Sequence, residues 1–405
     1  MADLFDKFQY IRQAHAQMVE AAGGDPLGVR VERILSPTEA EVGGRRCVLL
    51  GSNNYLGLTF DPDAIEAACA ALRTSGTGTT GSRVANGSYA SHQDLERQLA
   101  GFFGRRHAIL FTTGYQANVG FLSAIAGKDD TILIDSDSHA SIYDGCKLGD
   151  ATVLRFKHND AADLERRLRR LPAGSNKLVV LEGIYSMLGD RAPLADLVAA
   201  AKAHDAYILL DEAHSLGVLG EGGRGLAAEV GVEDQIDFLI GTFSKSVGTI
   251  GGFCVSNHPE LEAVRLAARA YLFTASLPPS IVASASATLE RIRTDASLRE
   301  RLWRNTDIVY DGLKDLGYTV GPDKTPVIGV KMPDAEVGLV VWHTLMQHGV
   351  YVNLALPPAT PQGTCLLRCS VCAAHTREQL QTVLDGFEAA RAVLADQGAK
   401  VRAAE

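Results

Sequence analysis

Gly241-Thr-Phe-Ser-Lys-Ser-Val-Gly-Thr-Ile-Gly-Gly-Phe253 sets one lysine among small hydroxyl residues, after an apolar run and before a glycine-rich turn. Phe238, Leu239 and Ile240 read as a buried strand, so Lys245 falls on the loop leaving it. Open α/β sheets hold their ligands at that edge. A single loop lysine is ordinarily a solvated surface group. Thr242, Ser244 and Ser246 give this one different company. Hydroxyls and exposed backbone amides suit a phosphate, and an amine suits an aldehyde. The stretch admits two readings, a surface lysine or one that forms a Schiff base with pyridoxal 5'-phosphate (PLP). Residues elsewhere decide between them.

Outward from this stretch, residues 107–111, 131–134, 152–156, 177–181, 207–210, 238–240 and 253–255 are apolar runs of strand length, several of them continuous. Helical segments fall between most of them, at 160–171 and 194–204. This alternation predicts an α/β fold with a mostly parallel, helix-covered sheet. Upstream, Leu4, Phe5, Phe8, Ile11, Met18 and Val19 recur at helical spacing. Residues 29–35 and 40–50 predict a small antiparallel unit, interrupted at Gly43-Gly44. Downstream, one long helix is expected from 279 to about 316. Short strands at 326–332, 350–356 and 364–370 then alternate with helices at 335–348 and 376–397, a smaller α+β pattern. The expected domains are 1–50 (N-terminal helix and antiparallel unit), 51–290 (large cofactor-binding domain) and 291–405 (C-terminal α+β domain).

A chain of 405 residues exceeds one simple core. Its net charge of −9 lacks the basic balance of a nucleic-acid binder. The acidic start is no secretory signal, and no apolar run reaches the ~20 residues that span a bilayer. Seven scattered cysteines fit free thiols in a reducing cytoplasm. Cys365, Cys369 and Cys372, with His375, are expected as buried thiols rather than a zinc site, which would need a second pair. The N-terminal helix is expected to dock on a partner subunit, with peripheral membrane contact as the alternative. Two motifs mislead. Gly76-Thr-Gly-Thr-Thr-Gly81 matches a dinucleotide fingerprint but follows a helix rather than a strand. Asp211-Glu-Ala-His214 spells a helicase box without the phosphate loop a helicase needs.

Asp211 ends the 207–210 run and so projects at the carboxyl edge of the sheet. A carboxylate there can pair with a protonated pyridine nitrogen, and His214 can reach the ring's substituents. Alone, Asp211 would read as a strand-end cap; with Lys245 on the next strand, the cofactor reading gains. Phe111-Thr-Thr-Gly-Tyr-Gln-Ala-Asn118 is a strand, a tight turn and a helix start, where amides at Gly114 and Tyr115 can bind phosphate alongside Thr242 and Ser244. His139, in Asp135-Ser-Asp-Ser-His139, is either a solvated loop histidine or a ring that stacks on a planar ligand.

These motifs join Asn53-Asn-Tyr-Leu-Gly57, residues 76–87 with His92, Glu182-Gly-Ile-Tyr-Ser186 and Leu366-Leu-Arg368. In this order, over nearly the whole chain, they resemble the α-oxoamine synthases, PLP enzymes that condense an amino acid with an acyl-CoA and release carbon dioxide. Thr-Phe-Ser-Lys-Ser-Val-Gly, Phe273-Thr-Ala-Ser-Leu-Pro-Pro279 and Tyr351-Val-Asn353 are similar to the soluble bacterial branch that uses L-serine and palmitoyl-CoA. The resemblance implies an aspartate-aminotransferase-like (fold type I) large domain and a cytoplasmic homodimer with shared active sites. It implies that Lys245 holds PLP and acts as base, that Asp211 meets the pyridine nitrogen, and that His214 meets the ring hydroxyl. His139 would stack on the ring. Gly114, Tyr115, Thr242, Ser244 and the partner subunit's Thr274 would ligate the phosphate. Arg368 would bind the substrate carboxylate, with Asn54 (from the facing subunit) and Ser82 near the substrate. Leu356 is a departure, standing where the serine-using branch is expected to carry arginine. A sister reaction on glycine or alanine and an aminotransferase are the alternatives.

Overall fold

The computed structural model describes residues 3–357 and 360–404. In chain order, α1 (Gln9–Ala22) precedes an antiparallel meander of β1 (Val31–Ser36), β2 (Glu39–Val42) and β3 (Arg45–Leu49). Next come α2 (Pro62–Ser75), α3 (Ala90–Phe102), β4 (His107–Phe111), α4 (Gly114–Ile125), β5 (Thr131–Asp135), α5 (Ala140–Leu148), β6 (Thr152–Phe156) and α6 (Ala161–Leu168). They are followed by β7 (Lys177–Glu182), α7 (Leu194–Lys202), β8 (Tyr207–Asp211), α8 (Leu226–Val230), β9 (Phe238–Thr242), β10 (Gly252–Ser256), α9 (Leu261–Ala267), α10 (Arg269–Leu272) and α11 (Pro279–Thr294). The chain ends with α12 (Ser297–Asp315), β11 (Val327–Met332), α13 (Ala335–Gln347), β12 (Val350–Tyr351), β13 (Asn353–Ala355), β14 (Cys365–Ser370) and α14 (Arg377–Ala404).

The chain divides into two compact units. The larger, residues 53–186 and 190–300, holds a seven-stranded sheet in the order β4-β10-β9-β8-β7-β5-β6. Only β10 runs against the others. Strands β5, β7, β9 and β10 are buried along their whole length, as a sheet covered on both faces requires. Phe121 and Leu122 of α4 are fully buried against Ile109, Ile132 and Ile240 of the sheet. Each such side chain contributes roughly 1.5–3 kcal/mol, so α4 and with it the turn at Gly114 are firmly seated.

The smaller unit, residues 1–52, 187–189 and 301–405, carries a four-stranded sheet (β1-β2-β3-β12) and a three-stranded one (β11-β14-β13). Val350 and Tyr351 pair in parallel with Val48 and Leu49, which ties the N-terminal meander to the C-terminal segment. Five segments along the sequence thus build two units in space. Cys365, Cys369 and Cys372 are buried free thiols. His375 accepts the Cys372 N–H on Nδ1 (3.0 Å), and its Nε2 meets the Leu49 carbonyl (3.1 Å), so both ring nitrogens are taken by backbone.

The single helix expected over 279–316 is two helices, and the structure corrects that expectation. Asp295 leaves helical geometry (φ −109°, ψ 89°), and its carboxylate accepts from Ser297 N (3.0 Å) and Ser297 Oγ (2.6 Å). Local side-chain-to-backbone bonds of this kind compete with helix continuation. Among the described residues, no helix is long and apolar enough to cross a membrane.

Candidate active site

Because six strands run one way, the carboxyl ends of β4, β5, β7, β8 and β9 lie along one edge of the sheet. Thr112–Tyr115 follow β4, Ser136–His139 follow β5, Glu182 ends β7, Asp211 ends β8, and Lys245 lies three residues beyond β9. Segments about 130 residues apart in sequence, Tyr115 and Lys245 among them, converge there.

Asp211 is only 5% exposed. Its Oδ2 accepts from Asn118 Nδ2 (2.7 Å) and its Oδ1 from the Ala213 N–H (2.9 Å). The Asn118 amide also donates to Ser141 Oγ (3.0 Å), so α4, α5 and β8 are tied through one side chain. His214 is buried, with Nδ1 2.7 Å from the hydroxyl of the fully buried Tyr55. His139 caps α5, Nδ1 lying 2.7 Å from Ser141 Oγ, and keeps an exposed face. Burial lowers its pKa; the Asp211 charge opposes that and the Lys245 charge adds to it. Its backbone N–H donates to Glu182 Oε1 (2.5 Å). Burial, then the charge of Asp211, pushes the Glu182 carboxyl well above the usual carboxylate range.

Gly114 lies so close to Thr242 that a Cβ on it would stand 2.7 Å from Thr242 Cβ and 2.9 Å from its Oγ1. This brings the first turn of α4 against the end of β9. Thr113 caps that turn, its Oγ1 accepting from Gln116 N (3.0 Å). The N–H groups of Gly114 and Tyr115 precede the helix's own hydrogen-bond ladder. Thr242 Oγ1 and Ser244 Oγ lie 2.9 Å apart, and Gln116 Nε2 donates to Thr274 Oγ1 of the same chain (3.4 Å). Thr112 Oγ1 is buried with no partner among the described residues. Amides and hydroxyls at a helix N-terminus form an anion cradle. With Asp211 and Lys245 on the same edge, the set fits PLP: a phosphate cradle, a carboxylate for a pyridinium, and an amine.

The other sequence-predicted residues have local contacts of their own. Asn54 is buried, its Nδ2 donating to Thr59 Oγ1 (2.8 Å), and its Oδ1 has no partner among the described residues. Ser82 turns the 76–87 loop, its carbonyl accepting from Gly87 N (2.9 Å). Tyr115 directs its hydroxyl at Asp144, so only its backbone N–H is left for the cradle. Arg368 belongs to the smaller unit, buried on β14 with Nη1 on Ser370 Oγ (3.0 Å).

The aminotransferase class I and II family model matches residues 45–387. The chain belongs to this family. Within it the chain stands among the bacterial serine palmitoyltransferases. It is 54% identical to the serine palmitoyltransferase of Caulobacter vibrioides over 385 residues, 95% of each chain. It is 51% identical to that of Sphingomonas paucimobilis, over 96% of this chain and 93% of the other. A solved structure of the S. paucimobilis serine palmitoyltransferase, with a bound PLP–myriocin adduct, matches at a TM-score of 0.96 and 50% identity, covering 97% of this chain and all of that one.

Within the family fold, several residues emerge that sequence reasoning did not assign. Asn118, Tyr55 and Glu182 sit inside quoted motifs, yet their contacts join residues far apart in sequence. His158 gave no signal at all. Its Nδ1 meets Asp135 Oδ1 (2.8 Å) and its Nε2 meets Asp190 Oδ2 (2.6 Å). Burial pulls its pKa down, but the two carboxylates win and raise it to about 10. This clamp ties the loop after β6 to the end of β5 and to the segment after β7.

Proposed function

We propose that the chain condenses L-serine with palmitoyl-CoA, giving 3-oxosphinganine, free CoA and carbon dioxide, with PLP as cofactor. The observation that carries this is the convergence of Lys245, Asp211, His139 and the α4 amides on one sheet edge, in a chain of this family. Bound PLP supplies an electron sink for negative charge at the substrate α-carbon. The chain's own residues do the rest. Asp211, fixed by Asn118 and Ala213, holds a negative charge at the depth of the site, where it keeps a pyridine nitrogen protonated. Tyr55 fixes His214 for a ring hydroxyl. His139 presents its ring as a flat cover, and burial lowers its pKa from the ordinary imidazole value. Gly114, Tyr115, Thr242 and Ser244, with the partner subunit's Thr274, anchor a phosphate. The Lys245 amine takes the proton from the serine α-carbon and returns it after the carboxyl group has left. Arg368 suits the serine carboxylate because its guanidinium fork pairs two oxygens at once. Asn54 of the facing subunit and Ser82 line the substrate side.

We infer a cytoplasmic homodimer with shared sites, from the resemblance. Leu4, Phe5, Phe8 and Ile11 are exposed in the single chain and are read as docking on the second copy. The test of the reaction is thiol release from palmitoyl-CoA. Serine should support it at least about tenfold better than glycine or alanine, a gap of ~1.4 kcal/mol. Equal or better release with glycine or alanine would make the enzyme a sister synthase. Amino transfer to a keto acid without thiol release would make it an aminotransferase.

A further inference from the structure

Glu182 and Asp211 are partners in register at the ends of the parallel strands β7 and β8. Both are buried, at 3% and 5% exposure. Two carboxylates this placed do not both stay ionised, because each raises the cost of charge on the other. The hydrogen bonds distinguish them. Asp211 receives two N–H donors, one of them a side-chain amide. Glu182 receives one, from the His139 backbone. The other charged and titratable groups facing Glu182 are Lys245 beyond β9, Asp135 at the end of β5 and Tyr185 on the segment after β7. Asp135 is itself ion-paired with His158. The proton of this pair therefore resides on Glu182.

The geometry matters for the site because the Glu182 bond is made to the N-cap residue of α5. The loop from Asp135 to His139 carries the ring that covers the cofactor. Its other anchors include Asp137 N on Asp135 Oδ1 (2.8 Å), Tyr143 Oη on the Ser136 carbonyl (2.8 Å) and Ser136 N on the Phe156 carbonyl (3.0 Å). None of these three bonds reaches His139. The histidine itself is held by the Glu182 bond on its N–H, by its ring contacts with Ser141, and by the first turn of α5, where Ile142 N donates to its carbonyl (2.9 Å).

We propose that Glu182 is a positioning residue, a neutral carboxylic acid that holds His139 through its backbone N–H and leaves the negative charge of the pair on Asp211. This rests on the PLP reading of the site. A second carboxylate beside Asp211 would compete for the pyridinium proton. A neutral acid does not, and it still accepts the His139 N–H.

Glu182→Gln and Glu182→Ala, as purified holoenzymes, test it. Glutamine is neutral and of the same shape, and its carbonyl accepts the same N–H. It should keep at least about a third of wild-type kcat, whereas alanine should lose at least about tenfold. The second readout is thermal stability against pH, which does not depend on the reaction. A carboxyl whose pKa is raised by folding imposes a cost once the unfolded chain ionises, above about pH 4.3. That cost grows as pH rises towards the folded pKa, and Glu182→Gln is free of it. The melting temperature of Glu182→Gln minus that of wild type should therefore increase from pH 5 to pH 8, by at least about 2 °C. A difference that falls over that range, or glutamine as inactive as alanine, would overturn the proposal. Absence of thiol release by the wild type would instead count against the assigned reaction and leave the stability comparison standing.

Discussion

Asn118 makes the Asp211 carboxylate usable, and it does so from 93 residues away. Its amide is the one side-chain donor that Asp211 has among the described contacts, and it is buried. Asn118→Leu keeps the volume and removes both the Asp211 and the Ser141 bonds. Leaving a buried carboxylate short of a donor costs about 1–3 kcal/mol. The variant should bind PLP roughly 5- to 150-fold more weakly, read by titration of the apoenzyme. Affinity equal to wild type would remove Asn118 from the site. Lys245, Asp211 and Gly114 were legible in the sequence because each sits in a short motif at a strand end. The contacts of Asn118, Tyr55 and Glu182 were not, since a motif names a residue without naming its partner across the fold.

Elements were easier to read than contacts. The strands of the large sheet begin and end within two residues of the apolar runs, and β5, β7, β9 and β10, buried on both faces, leave the unbroken apolar signature such strands carry. The break at Asp295 was hidden because helical spacing of apolar residues continues on both sides of it. The same limit applies to how α4 meets β9. The turn at Gly114 was readable, but its contact with Thr242 was not. Gly114→Ala puts a methyl 2.7 Å from Thr242 Cβ, which real side chains do not tolerate. The helix start must move away, and the cradle with it. PLP affinity should fall at least about tenfold while the protein still folds, since α4 is seated by Phe121 and Leu122. Unchanged affinity would place the phosphate elsewhere.

At the scale of the whole molecule, the N-terminal meander belongs with the C-terminal segment, a pairing across some 300 residues that no local pattern announces. His375 reinforces it by bonding the Leu49 carbonyl, and burial pushes its pKa down to about 4. The unfolded value is about 6.5. Stability from the neutral ring is full above about pH 6.5 and is lost as pH falls to about 4, on the order of 3 kcal/mol. His375→Gln should show a flatter dependence of melting temperature on pH across that window; parallel curves would clear His375 of the effect. Shared sites are a whole-molecule claim as well. Lys245→Ala and Asn54→Ala, each impaired alone, should recover activity when co-expressed, because one mixed dimer site then has both residues intact. No recovery would mean that each chain works with its own residues. Everything in the proposed reaction depends on Lys245 carrying PLP and on serine engaging it there. Absorbance of the purified protein titrated with PLP tests this most directly. The account predicts a visible band that saturates at about one cofactor per chain, responds to serine and is absent in Lys245→Ala. A wild-type protein with no such band, or a Lys245→Ala protein with the same band, would contradict it.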